Sequence, residues 1–293
     1  MQETFLKYLR FEKRYSPHTL TSYENDLNQF KAFLEEEFET SQLPSASHAM
    51  VRSWMVSLVD QGLDAKSVNR KAACLRTFYK FLIKREIISQ DPMQKVRALK
   101  TSKKLPQFLN ESDINRLLDN AEFDNSFIGW RDKLVLELLY GTGTRLSEII
   151  SLKISDVDRQ NHTLKVLGKR NKERIIPFSK SMGQVIDHYL GQKKKHVVEN
   201  DGNFLIVTEE GNQCYPMLIY RTVRKYLNQF TTIEKRSPHV LRHTFATHLL
   251  NKGAELNAVK DLLGHTSLAA TQVYTHNSMD KLKAVFDQAH PKA

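Results

Sequence analysis

Through the first 98 residues apolar side chains recur at three- and four-residue steps and nowhere settle into the two-residue alternation of a half-buried strand. That part of the chain is therefore restricted to packed amphipathic helices. Ser16-Pro17 supplies an N-cap followed by proline at the first helical position, and Leu20, Tyr23, Leu27, Phe30 and Leu34 follow on one face. Further helices are expected over about Gln2–Lys13, His48–Gln61 with Gly62 as its stop, and Ser67–Arg85 with Leu75, Phe78, Tyr79 and Leu82 inside. The outer face of this last helix carries Asn69, Arg70, Arg76 and Lys80. Such a row either approaches phosphates or base edges in a groove or is simply solvated.

Residues 99–107, Leu-Lys-Thr-Ser-Lys-Lys-Leu-Pro-Gln, lose the helical period and read as a basic interdomain linker. At 293 residues the chain has room for a core on either side of it. The expected fold is mainly α, with a four-helix domain over 1–98 and a mixed, mostly helical domain over 108–293 holding a small antiparallel sheet. The second domain opens with an Asn110-Glu111-Ser112-Asp113 cap and a helix through Leu134, Leu136, Leu138 and Leu139 that breaks at Gly141-Thr142-Gly143, and a short helix resumes near Arg145. Strands over His162–Val166 and Glu173–Pro177 flank a turn at Gly168–Lys172, and Phe204–Val207 forms one further extended run.

The 44 basic residues exceed the 33 acidic ones by 11, which favours a polyanionic partner, nucleic acid ahead of an anionic membrane surface. Cys74 and Cys214 are too few and too far apart for a disulfide framework, so two buried thiols in a reducing cytoplasm are expected. No apolar run approaches the ~20 residues needed to span a bilayer, and Met1-Gln2-Glu3-Thr4 lacks a signal-peptide pattern. The expected location is the cytoplasm.

In Ser237-Pro238-His239-Val240-Leu241-Arg242-His243, a serine cap and a proline start a helix that puts His239 and Arg242 one turn apart, beside an apolar stripe of Leu241, Phe245 and Leu249. Leu262-Leu263-Gly264-His265 ends another helix at glycine, and Tyr274-Thr275-His276 follows nine residues later. Each of these side chains alone is more often a satisfied core residue than a reacting group.

Together, Thr142-Gly143-Thr144-Arg145-Leu146-Ser147-Glu148, Gly168-Lys169, His239-Val240-Leu241-Arg242-His243, Leu263-Gly264-His265 and Tyr274-Thr275-His276 resemble, in order and spacing, the tyrosine recombinase (phage integrase) family and its XerC/XerD-like branch. The resemblance extends from Tyr15-Ser16-Pro17-His18-Thr19 to the C-terminal tail. It implies that residues 1–98 are a core-binding (SAM-like) DNA-binding domain and that 108–293 are catalytic. It further implies that Tyr274 attacks a scissile phosphate to form a 3′-phosphotyrosyl bond and release a 5′-hydroxyl, with no metal or nucleotide cofactor. Arg145 and Arg242 would clamp the non-bridging oxygens, His265 would add a donor, His239 would assist proton transfer from the tyrosine, and Lys169 would protonate the departing oxygen. Glu148 either orients Arg145 or is a surface carboxylate. His243, His248 and His276 are given structural roles. Thr144 stands where the family usually has leucine, and Arg170 where it usually has glycine, which bears on the packing beneath Arg145 and on the reach of Lys169.

The resemblance implies double-stranded DNA as partner and a tetrameric synapse, with a paralogous recombinase and a division-associated DNA translocase as further partners in chromosome dimer resolution. In the C-terminal segment, Leu282, Val285, Phe286 and Ala289 share one face, which docks either on a neighbouring subunit or on its own domain. Competing readings are an integrase or transposase of a mobile element, a type IB topoisomerase, a non-catalytic DNA-binding protein, and a zinc site built from His239, His243 and His248.

Overall fold

The computed structural model describes residues 1–102, 107–168, 172–197 and 203–264, and its contacts divide the chain into two compact units, Met1–Lys104 and Leu105–Ala293. In the first unit four helices form, α1 (Gln2–Phe11), α2 (Pro17–Phe38), α3 (His48–Asp60) and α4 (Ala65–Lys84). Ser16 accepts the Thr19 amide at 3.3 Å to start α2, and Asp64 accepts the Ser67 amide at 2.7 Å to start α4, so one of the orphan donors at each entry is relieved by a local side chain. Leu27, Phe30 and Leu34 of α2 meet Leu75, Phe78 and Leu82 of α4 in a core closed by Phe5, whose ring packs edge-on against Phe78 at 5.2 Å.

The polar row on α4 has work inside this unit. Asn69 exchanges two hydrogen bonds with the backbone of Leu99, at 2.9 and 2.8 Å, and Arg76 donates to the Val96 carbonyl at 3.0 Å. Arg70 and Lys71 converge on the buried carboxylate of Asp26, at 2.6 and 2.8 Å. Three of the four side chains read as candidates for a nucleic-acid groove thus hold neighbouring backbone or an internal charge, and the fourth, Lys80, is exposed.

The second unit carries α5 (Glu111–Asp119), α6 (Phe127–Gly141), α7 (Leu146–Ser151), β1 (Val157–Asp158), β2 (Thr163–Leu167), β3 (Glu173–Pro177), α8 (Lys180–His196), α9 (Pro216–Phe230), α10 (Pro238–Asn251) and α11 (Leu256–Leu263). Helix α6 is buried nearly all round, the charged Arg131, Asp132 and Glu137 included, and packs against α8, α9 and α10, which makes it the axis of the core. The stretch from Asn110 to Gly141 divides into α5 and α6 because Ser126 caps a second start and Gly129 lies so close to the Asp124 carbonyl that a Cβ there would come within 1.9 Å of its oxygen. The sheet is antiparallel in the order β1-β2-β3, with Leu164 opposite Ile176 and Val166 opposite Arg174. Strand β1, two residues long, is too short to leave a periodic signal in sequence. The Phe204–Val207 run makes isolated bridges to Lys153 and Gln213 and buries Leu205, Ile206 and Val207.

Cys74 and Cys214 are free and buried, and burial pushes their thiols up, to about 12 and about 11, so both stay protonated and inert at neutral pH. Among the described residues no helix is long and apolar enough to cross a membrane.

Candidate active site

Gly143 takes φ +60 between α6 and α7, and a Cβ there would lie 2.4 Å from a Phe245 ring carbon of α10. Glycine is therefore required on two grounds, the left-handed backbone and the close approach of α10. Thr142 and Thr144 turn their hydroxyls back to the Leu138 carbonyl at 2.5 and 3.1 Å, closing the end of α6. Thr144 is wholly buried, so its hydroxyl caps a helix where the family's usual leucine would only fill space. This turn delivers Arg145 to the N-cap position of α7 in an extended conformation.

From there Arg145 donates twice to Glu148, through its backbone amide at 2.7 Å and through Nη1 at 2.8 Å, and once through Nη2 to the Gly264 carbonyl at 3.1 Å. Glu148 is 3% exposed, so the surface-carboxylate alternative is set aside. Burial opposes its charge, but hydrogen bonds and the positive charge of Arg174 outweigh that, with help from Arg145, and bring its carboxyl down to about 2. Arg174 grips the same carboxylate bidentately, at 2.7 and 2.8 Å.

Helix α10 begins at Pro238 with Ser237 in the N-cap position, although no side-chain bond from Ser237 is made. His239 is exposed, and one turn later Arg242 is 9% exposed, so the two residues expected on one face differ sharply in burial. Arg242 donates to the Gly143 carbonyl and to the Leu263 carbonyl, the latter at 2.6 Å. Burial and the neighbouring charge of Arg145 lower its guanidinium to about 10, which leaves it charged at neutral pH.

Three arginines from three elements thus meet at the end of α11. Arg174 takes the Leu262 carbonyl at 2.8 Å, Arg242 that of Leu263, and Arg145 that of Gly264. These are the carbonyls a helix leaves without partners at its C-terminus, where its dipole is negative. Gly264 itself closes the helix at φ +63. With one carboxylate among three guanidiniums, the cluster holds an excess of two positive charges in a largely water-excluded setting, and a bound anion would relieve it.

The remaining residues proposed from the sequence, Lys169, His265 and Tyr274, lie outside the described residues, as do Arg170 and the Leu282–Ala289 face. Gly168 and Gly264, their immediate neighbours for the first two, are described. Arg174 and its grip on Glu148 lie outside the motifs that the sequence offers. The signal was present in β3, where Arg174 falls in register with the buried Ile176 on the inward-facing side of the strand. A charged residue at such a position needs a buried partner.

His248 cannot serve a metal as the zinc reading required. Its Nδ1 is bonded to the Tyr140 hydroxyl at 3.0 Å and its Nε2 to the Leu109 carbonyl at 2.8 Å, and burial lowers its pKa. Among the described residues no group of His, Cys, Asp or Glu is arranged to hold a metal ion.

The phage integrase family model matches residues 107–281, and the model for the phage integrase N-terminal SAM-like domain matches residues 3–86. Tyrosine recombinase XerC of Chlorobaculum parvum is 38% identical over 99% of this chain and 94% of its own length, and XerC of Staphylococcus epidermidis is 40% identical over 100% and 98%. Among solved structures, XerH site-specific recombinase in a post-cleavage complex with a palindromic difH substrate superposes with a TM-score of 0.73 at 22% identity, covering 97% of this chain and 83% of that one. A lambda integrase tetramer bound to a Holliday junction gives 0.68 at 19% identity over 93% and 79%. The two structures share the fold, the two sequences carry the kinship over full length, and the chain belongs to the phage integrase family, the tyrosine recombinases.

Proposed function

We propose that this tyrosine recombinase is of the Xer type, exchanging DNA strands at a specific site to resolve chromosome dimers, with Arg145 and Arg242 as the clamp on the scissile phosphate. The observation that supports this is the convergence of both guanidiniums on consecutive carbonyls at the end of α11, directly before His265. A phosphate entering there finds planar, permanently charged donors held in place before it arrives.

In this reading the Tyr274 hydroxyl attacks phosphorus while His239 assists removal of its proton. The P–O5′ bond breaks, Lys169 protonates the leaving 5′-oxygen, and a 3′-phosphotyrosyl bond forms. Arg145, Arg242 and His265 donate to the non-bridging oxygens, where charge accumulates. Attack by a 5′-hydroxyl from the partner duplex reverses each step, and two such exchanges pass through a Holliday junction. The phosphodiester energy is kept in the tyrosyl link, so neither ATP nor a metal enters the balance.

Residues 1–98 would serve as the core-binding domain, 99–107 as a basic linker and 108–293 as the catalytic domain, each gripping double-stranded DNA. Four subunits would form the synapse, in the company of a paralogous recombinase and under a division-associated translocase, in the cytoplasm. The covering of both 38–40% identical relatives over nearly their whole length favours this over a mobile-element integrase.

The test is a supercoiled plasmid bearing two directly repeated copies of a site selected from the protein's own chromosome by binding. Two separate circles from wild type, and none from Tyr274→Phe, support the reading. Relaxation without any site would instead indicate a topoisomerase.

A further inference from the structure

We propose that Arg174 is the positioning residue of this site, one side chain that sets the backbone anchors of Arg145, Lys169 and His265 together. The inference rests on the catalytic reading above and adds to it a residue on β3 that touches no substrate. The geometry is that of a planar fork used on all its edges. Nη1 and Nη2 take the two oxygens of Glu148 at 2.7 and 2.8 Å, while Nε takes the Leu262 carbonyl at 2.8 Å.

Each of those contacts lies at the root of a proposed catalytic group. Glu148 holds both the backbone amide and the guanidinium of Arg145. Leu262 and Gly264 end the helix from which the chain continues to His265, and a Cβ on Gly264 would lie 3.2 Å from Cδ of Arg174. Gly168, the residue before Lys169, packs on the same pair, since a Cβ there would lie 3.3 Å from Nη1 of Arg174 and 3.6 Å from Oε1 of Glu148. Glycine at both 168 and 264 lets two backbones lie against the guanidinium, and β3 carries it in from beneath.

Stability alone is a poor reason for this arrangement. A buried ion pair gains little over apolar side chains of the same volume, because both charges must leave water. Orientation is what the fork supplies and what lysine, with a single point of charge, cannot. Misplacing catalytic groups by about 1 Å costs on the order of a hundredfold in rate.

The experiment uses the full chain on a nicked suicide substrate, reading the rate constant and the burst amplitude of the covalent adduct along with DNA affinity. Arg174→Lys is expected to lower the cleavage rate constant roughly 10- to 100-fold while Kd for DNA moves less than about threefold. On a substrate with a methylphosphonate at the scissile position, which is neutral and asks less of the arginine clamp, the defect should shrink by roughly tenfold or more. In case the lone substitution weakens folding, Glu148→Met/Arg174→Met restores an apolar interior of similar bulk and should fold yet cleave as slowly. A wild-type rate constant with only a reduced burst amplitude, or a defect equal on charged and neutral substrates, would overturn the role given to Arg174. Absence of an adduct from wild type would instead remove the catalytic reading beneath it.

Discussion

Replacing Glu148 by glutamine keeps the shape of the side chain and removes the one negative charge among three guanidiniums. The carboxylate accepts four hydrogen bonds, two from Arg145 and two from Arg174, all between 2.7 and 2.8 Å. An amide can accept only on its oxygen, and its NH2 would face donors that cannot answer it. With the carboxyl at about 2 against an ordinary glutamate value near 4.3, the charged form is favoured in the folded state by about 3 kcal/mol. That agrees with the roughly 3–5 kcal/mol lost when one member of a buried ion pair is removed. For a domain of this size the Tm should fall by roughly 6–12 °C at neutral pH, read by calorimetry on the transition of the second unit. The pH dependence has a fixed sign. A carboxyl depressed in the folded state gives its full stabilisation above the unfolded value and loses it as pH falls toward about 2, whereas glutamine does not titrate. The gap between wild type and Glu148→Gln should therefore be full above about pH 5 and narrow steadily below about pH 4. A Tm within about 2 °C of wild type, or a gap of equal size at neutral and acid pH, would refute the reasoning.

Other substitutions separate packing from chemistry. Gly143→Ala forces an alanine to φ +60 against the Phe245 ring and should cost about 2–4 kcal/mol, measured by urea denaturation. Arg145→Lys and Arg242→Lys should each slow adduct formation by roughly two to three orders of magnitude with the fold retained, since the lysine keeps charge but loses the fork. Tyr140→Phe strips His248 of one of its two ring partners and should cost about 1–3 kcal/mol in the second unit, checked by thermal unfolding. Asn69→Ala loses both bonds to Leu99 and should destabilise the first unit by about 1–3 kcal/mol without changing the salt dependence of DNA affinity, because the side chain is spent on backbone and not on phosphate.

Much of this architecture is written locally. Ser16-Pro17 and Asp64 start helices through side-chain oxygens within three residues, and Leu27, Phe30, Leu75 and Phe78 mark the inward faces by period alone, so the helical first unit is readable before any tertiary contact is known. The strands flanking residue 168 are legible for the same reason, whereas β1 is too short to carry a period. At the site, the identities of Arg145, His239 and Arg242 are legible as motif residues, but what they touch is not. Arg145 reaches Gly264 across 119 positions and Arg242 reaches Leu263 across 21, distances over which no local rule operates. The same limit explains why Glu148 stayed ambiguous, since its burial depends on Arg174, 26 residues on in the neighbouring sheet. It explains too why the row Asn69, Arg70 and Arg76 looked available for a groove, as their partners at Leu99, Asp26 and Val96 lie on other turns of the chain.

The central claim is that this chain breaks DNA through a tyrosine and an arginine clamp assembled around the end of α11. It is tested most directly by incubating wild type and Tyr274→Phe, in EDTA, with labelled nicked substrates carrying the selected site and resolving the products on a denaturing protein gel. The account predicts a covalent protein–DNA band from wild type, resistant to EDTA and absent from Tyr274→Phe, although both proteins bind the DNA. Equal binding with no adduct from wild type, while another tyrosine recombinase succeeds on its own site in parallel, would contradict it.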